Sequence, residues 1–190
     1  MKEVGGGSLR LVEIDVKRDD ESSPGSHDML KCGGVYSALL RASLDGLIDG
    51  VISSPKCRTR SVLRHYPIEG VRGGGPRPLR TWEEPFGKMN LSDEERATAE
   101  DDDLMMWRSI MLYTGVNLGL EQPADPVDYK PEVVSWWRTP EWQALKNHYQ
   151  FQEQTFRQSC WGGKATKSTT FGGDLLLRLP QDGEQRMRVR

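Results

Sequence analysis

The chain has 190 residues, 36% of them hydrophobic, and a formal net charge of −2. That length suits one domain with its own core, and the near-neutral charge excludes a general attraction to polyanions, so any nucleic-acid contact must come from a local basic patch. The 3 cysteines lack regular spacing, which argues against a disulfide framework and for an intracellular, reducing compartment, nuclear or cytoplasmic rather than secreted.

The opening residues, Met1 to Ser8 with Gly5-Gly6-Gly7, form a flexible start and hold no apolar core, so no signal peptide is read there. No apolar run approaches the ~20 residues that span a bilayer, and no membrane partner is expected. Residues 9–16 alternate apolar and polar side chains and predict a strand. Residues 17–27 are polar with Pro24-Gly25, a loop. Residues 36–47 carry Leu39, Leu40, Leu44 and Leu47 at helical spacing, with Gly46 near the end, and predict a helix. Residues 48–52 form a short apolar run that stops at Ser53-Ser54-Pro55, a second strand. A helix followed by an apolar strand and a turn favours an α/β domain with a parallel sheet, spanning 9–180.

Residues 58–80 are rich in Arg, Gly and Pro, and Gly73-Gly74-Gly75-Pro76-Arg77-Pro78 predicts a long loop. Ser92, followed three residues later by Glu95, reads as a helix start. The acidic run 100–103 precedes an amphipathic stretch over 104–113, read as helix. Residues 116–120 predict a strand ending at Glu121-Gln122-Pro123. Thr139-Pro140 begins another helix, 154–160 is a strand candidate, and the charged tail 181–190 is expected to fray. No internal repeat is evident.

The strand-end signals align. Acidic Glu13 and Asp15, then Cys57, then Glu121 each sit at or just past an apolar run, where an open parallel sheet gathers its functional groups. Lys56, Arg58 and Arg60 flank Cys57 and would favour its nucleophilic thiolate. Zinc is not expected, because Cys32, Cys57 and Cys160 show no paired ligand spacing with His27, His65 or His148. The lack of a Cys-x-x-Cys pair also argues against a zinc deaminase. No Walker lysine motif supports nucleotide hydrolysis.

Ile48 to Arg58 resembles the segment of DNA cytosine methyltransferases in which a strand runs into a Gly-Gly-Pro-Pro-Cys turn. Ser53-Ser54-Pro55-Lys56-Cys57 keeps the first Pro and the Cys and has Lys56 in place of the second Pro. Leu120-Glu121-Gln122 is similar to that family's Glu-Asn-Val strand end. Glu13-Ile14-Asp15 is similar to its acidic ribose-binding strand end, and His27-Asp28-Met29-Leu30 to its Gly-Asp-Ile segment. A broader likeness, carried by His27 to Leu30, Cys57 to Pro67, Gly75 to Pro78, Leu120 to Ala124 and Lys167 to Leu175, is to a methyltransferase-like segment in retrotransposon polyproteins of some protists.

The resemblance implies a Rossmann-like methyltransferase fold, a mostly parallel sheet with flanking helices. The family's first strand and Phe-x-Gly-x-Gly turn are lacking, because Gly5-Gly6-Gly7 has no strand before it and no helix after it. It implies that Cys57 attacks the ring carbon next to the methylated one, that Glu121 protonates or hydrogen-bonds the ring nitrogen, and that the base is flipped out of DNA. Glu13, Asp15 and Asp28 would contact S-adenosylmethionine, with no metal, and Arg58, Arg60 and Arg64 would meet phosphates. The expected function is a methyltransferase-like domain of a mobile-element polyprotein, incomplete or inactive alone.

Plainer readings stand beside these. A lone Cys is most often a small buried hydrophobe, Glu121 could pair with an Arg, and Asp15 and Asp28 are solvated loop acids unless a cofactor is present. Residues 58–80 read equally as a solubilising loop. Trp136 and Trp137 read as core or groove-lining aromatics. The alternative function is a non-catalytic nucleic-acid or protein interaction module using the Arg-rich loop.

Overall fold

The computed structural model describes residues 10–14, 27–31, 33–71, 75–161 and 168–174. Helix α1 (Val35–Leu44) is stopped by Gly46, whose φ of 68° is ready for a helix C-terminus. Helix α2 (Asp93–Met111) starts with a complete capping box, in which Ser92 and Glu95 satisfy each other's backbone N–H groups. Helix α3 (Pro140–Tyr149) has Thr139 as cap, Pro140 in its first turn, and Gln150 in the left-handed region past its end. All three starts or stops follow the local signals read from the sequence.

Four strands form one sheet: β1 (Gly50–Ser53), β2 (Asn117–Pro123), β3 (Gln152–Arg157) and β4 (Ser168–Gly173), in the spatial order β1-β2-β4-β3. β1 and β2 pair in parallel with Ser53 opposite Leu120, as the sequence predicts for these two runs. The other two pairings, β2 with β4 and β4 with β3, are antiparallel. The expected mostly parallel pairing is therefore corrected. Its physical origin is the reversed strand β4, which lies between β2 and β3; β1, β2 and β3 themselves run in one direction.

Residues 10–14 form no strand, which corrects part of the expectation for 9–16; the rest of that run lies outside the described residues. Leu11 and Val12 are 81% and 79% exposed, so no sheet face receives the alternating pattern that suggested a strand. β2 runs past its expected end because Pro123 still pairs with Thr169, and its carbonyl accepts a bond from Trp137 Nε1. A proline lacks only the donor, so a strand tolerates it where the N–H has no ladder partner. The acidic run 100–103 lies inside α2 rather than ahead of it.

Paired residues share a sheet face, which sorts the core. Leu118 and Leu120 (0% exposed) point toward Met106 and Ile110 of α2 and toward Trp136, Trp137, Trp142 and Phe151. Gly172, opposite Leu120, lets the indoles lie against the sheet; a Cβ there would stand 2.6 Å from Trp137. Gly119, Glu121 and Phe171 occupy the other face, where the Phe171 ring covers Gly119.

The start of α2 has a consequence in acid. Arg77 grips the Glu95 carboxylate with two bonds of 2.8 and 2.7 Å. That pairing, helped by the Ser92 backbone N–H, lowers the Glu95 pKa from 4.5 to about 2. A depressed carboxylate stabilises the fold above its unfolded pKa, so this contribution is complete above pH 4.5 and is lost as pH falls toward 2. Urea midpoints measured from pH 6 to 2 should fall over that window, and Glu95→Gln should flatten part of the fall. An unchanged slope in the variant would remove Glu95 from the account.

Candidate functional site

The parallel register of β1 and β2 brings their carboxyl ends together. Ser54 directly follows β1, and its hydroxyl donates to Glu121 Oε2. Pro55 is buried, and its carbonyl accepts a 2.7 Å bond from the buried Gln122 side chain. The loop that carries Cys57 is thus strapped to the end of β2 at two points. Cys57 is half-buried, and its carbonyl accepts the Arg60 backbone N–H at 3.1 Å. Cys57 and Glu121 therefore lie on the same edge of the sheet. The other Glu121 oxygen, Oε1, is buried and accepts no hydrogen bond from the described residues. A buried, unused acceptor costs about 1–3 kcal/mol, so this oxygen calls for a donor from elsewhere.

Beyond Cys57 the loop turns inward onto α2. Arg58 Nε bonds Asp102 at 2.8 Å and its Nη2 lies 3.5 Å from Asp101. Thr59 gives Asp102 both its backbone N–H and its hydroxyl, at 2.9 and 2.8 Å. Arg60 and Arg80 share Asp103, at 3.0 and 2.9 Å. Arg80 also donates to Thr59 Oγ1, Pro85 O and Ala99 O. Arg64 bonds the carbonyls of Arg58 and Arg77. Burial first, and the neighbouring Arg80 second, push the Arg60 pKa down to about 10, against the opposing pull of Asp103; it stays charged at neutral pH.

This overturns the phosphate-contact assignment for Arg60, which is only 8% exposed. Arg58 and Arg64 are committed to an aspartate and to carbonyls. The described part of the loop straps the sheet edge to α2, with Arg58 and Arg77 still 44% and 46% exposed. Sequence reasoning missed Ser54, Gln122 and Asp102. Nothing local pointed to the first two, and the acidic run 100–103 gave no hint that it faces an arginine loop some 40 residues earlier.

Of the proposed cofactor contacts, two fall on described residues. Glu13 lies in the exposed, irregular segment 10–14. Asp15 lies outside the described residues. Asp28 turns its carboxylate onto its own chain, accepting the Leu30 N–H at 2.9 Å. Among the described residues no group of three or more His, Cys, Asp and Glu side chains is placed to hold a metal ion, and no helix is long and apolar enough to cross a membrane. No family model, no curated protein and no solved structure matches the chain.

Proposed function

We propose that the carboxyl end of the β1–β2 pair is the base-binding site of a methyltransferase-like domain of a mobile-element polyprotein. It takes a cytosine flipped out of a DNA strand and is incomplete for methyl transfer by itself. The observation that carries this reading is Glu121 Oε1, a buried acceptor with no donor among the described residues, on the same sheet edge as a half-buried cysteine. The donor edge of a pyrimidine, with its amino group beside the ring nitrogen, is a ligand that supplies what Glu121 lacks. The common direction of β1, β2 and β3 supports a Rossmann-like sheet, in which β4 is reversed between β2 and β3.

Glu13 is exposed in an irregular segment and Asp28 is turned onto its own chain, so no methyl-transfer step is derived. The chemistry available to the chain's own residues is addition. The Cys57 thiolate forms a bond to C6 of cytosine, the C5–C6 π electrons move onto C5 and toward the ring nitrogen, and the ring nitrogen takes a proton from solvent, the resulting N–H and the neighbouring amino group donating to the Glu121 carboxylate. C5 then takes a proton from solvent. Reversal removes a C5 proton and expels the thiolate, so the net result is exchange of the C5 hydrogen.

The alternative, a non-catalytic module docking through the Arg-rich loop, has less support, because the described arginines of that loop have partners inside the fold, while Arg58 and Arg77 keep 44% and 46% of their side chains exposed. Arg58, Arg60, Arg77 and Arg80 are engaged by α2 carboxylates and Arg64 by carbonyls.

The test needs no cofactor. A single-stranded cytosine oligonucleotide incubated with the protein in heavy water should gain deuterium at C5. Cys57→Ala should bring the rate to background. Glu121→Gln should slow it by about 100-fold, the scale of one positioned acid–base group. No protein-dependent deuteration, or its survival in Cys57→Ala, would overturn the reading.

A further inference from the structure

The amino edge of the β1–β2 pair, opposite to Cys57 and Glu121, carries an open cleft of about 500 Å³. Its lining combines the aliphatic Ile48 and Val116, the aromatic Tyr113 and Tyr149, and one fully charged group, Asp49; no Lys, Arg or His lines it. Such a volume suits a small organic group. The rings are held in place. Tyr113 meets Tyr149 edge-on at 4.8 Å with the planes at 78°, and the buried Phe151 packs against both. Tyr149 still keeps 42% of its surface exposed. Asp49 is anchored by its carbonyl, which accepts the backbone and side-chain N–H groups of Asn117 at 3.2 and 2.9 Å. Its carboxylate forms no ion pair among the described residues.

The electrostatics favour a cation. α1 ends just before Gly46 of the lining, α2 runs into the turn that holds Tyr113 and on to Val116, and α3 ends on Tyr149. The carboxyl ends of all three helices therefore converge on the cleft and add partial negative charge to that of Asp49. Asp174, hydrogen-bonded to the Tyr113 side chain, adds a further acid nearby. Basic side chains of the last turns are turned to other partners: Arg41 to Asp45, Arg108 over the Tyr36 ring, and Lys146 to Glu153. An anion would be repelled. A metal ion needs several ligating side chains, and among the described residues no group of three is placed for one. A primary ammonium would exchange its strong hydration for Ile48, Val116 and ring carbon. A trimethylammonium group donates no conventional hydrogen bonds, presents methyl groups to apolar walls, and is attracted to tyrosine rings.

We infer that this cleft binds a trimethylammonium head group, with Asp49 as its counter-charge and Tyr149 as the ring against which the cation rests. The same head group occurs on free choline and on a trimethylated lysine side chain. The site lies at the other edge of the sheet from Cys57 and Glu121, so it does not depend on nucleobase binding.

NMR titration of the full chain with choline, and with the uncharged isostere in which a tert-butyl group replaces the trimethylammonium, tests this. Choline should bind with millimolar affinity and about tenfold more tightly than the isostere, the scale of one cation–π contact. Tyr149→Leu keeps an apolar side chain and removes the ring, so it should weaken choline binding about tenfold. Asp49→Asn keeps the carbonyl anchor and should weaken it about threefold, the scale of an exposed charge pair. Both residues are exposed, and if Tyr149→Leu does not fold, Asp49→Asn and the isostere comparison still decide. A trimethyllysine peptide separates the sources: binding tighter than choline assigns the head group to a protein tail, and weaker or equal binding to a free small molecule. No choline binding, equal affinity for choline and its isostere, or unchanged affinity in the variants would each overturn the site.

Discussion

Asp103→Ala is expected to lower the unfolding free energy by about 3–5 kcal/mol, the cost of leaving buried cations without their counter-charge. Asp103 is the carboxylate shared by Arg60 and Arg80, whose side chains are 6% and 1% exposed. Arg80 would keep its neutral acceptors, Thr59 Oγ1, Pro85 O and Ala99 O. Arg60 would keep only Pro85 O among its side-chain partners, at 3.3 Å, and the two guanidiniums would repel each other without the anion between them. Asp103→Asn retains an oxygen acceptor and should fall between wild type and alanine. A cycle separates charge from packing. Arg60→Met in the Asp103→Ala background should recover part of the loss, because removing a buried pair together is cheaper than removing one member. Urea denaturation with unchanged slope measures each value. A loss under 1 kcal/mol for Asp103→Ala would mean that water reaches the cluster and that the loop is less tightly strapped than its distances indicate.

That cluster also shows where the sequence stopped being legible. The capping box at Ser92 and Glu95 and the Thr139-Pro140 start are local codes, and the structure follows both. The parallel pairing of β1 with β2 was readable because two short apolar runs flank a region with turn signals at each end. The pairing of Arg58 with Asp102 joins residues 44 apart, and no local pattern encodes which acid a distant arginine will meet. The same arginines that suggest a phosphate surface in sequence are internal ties in space.

The strand β4 was missed for a related reason. Ser168-Thr169-Thr170-Phe171-Gly172-Gly173 ends in two glycines, which weaken a strand signal. In the sheet those glycines are required by what lies on them. A Cβ at Gly172 would meet the Trp137 and Trp142 rings, and one at Gly173, with φ of 145°, would stand 2.0 Å from Leu118 O. Glycine here marks close approach rather than chain reversal. Because β4 was unseen, the reversed pairing at the centre of the sheet was unseen too. That Cys57 and Glu121 both follow onto the same sheet edge depends only on the parallel pairing of β1 and β2. What the sequence could not supply was Ser54, whose bond to one Glu121 oxygen leaves the other as the unserved atom of the site.

Trp142→Ala should be the most damaging change in the apolar core, costing about 3–5 kcal/mol. Trp142 is fully buried in α3. Its ring meets Trp137 edge-on at 5.0 Å and stacks with Phe151 at 5.7 Å. Its Nε1 donates to Glu153 of β3 at 2.5 Å, and its edge rests against Gly172 of β4. One side chain therefore joins α3 to the neighbouring strands β3 and β4. Truncation removes the largest apolar surface at that junction and leaves a cavity that the flanking indole and phenyl rings cannot close without abandoning the sheet. Glu153 would not be stranded, because Lys146 lies 2.9 Å from its other oxygen. The loss is thus cavity and contact, not an unpaired charge. Trp142→Phe should recover much of it while lacking the bond to Glu153. For a chain of this length the alanine variant should melt roughly 10 °C lower. Hydrogen exchange should show where the damage falls. Amides of β3 and β4 should lose protection first, whereas the β1–β2 pair, held by Leu118, Leu120 and the Ser53–Ser109 hydroxyl bond of 2.7 Å, should follow the global transition. Equal loss in all four strands would show that the sheet opens as one unit, and a melting temperature within 2 °C of wild type, taken as roughly the shift from 1 kcal/mol or less, would show that the indole core is not what holds it.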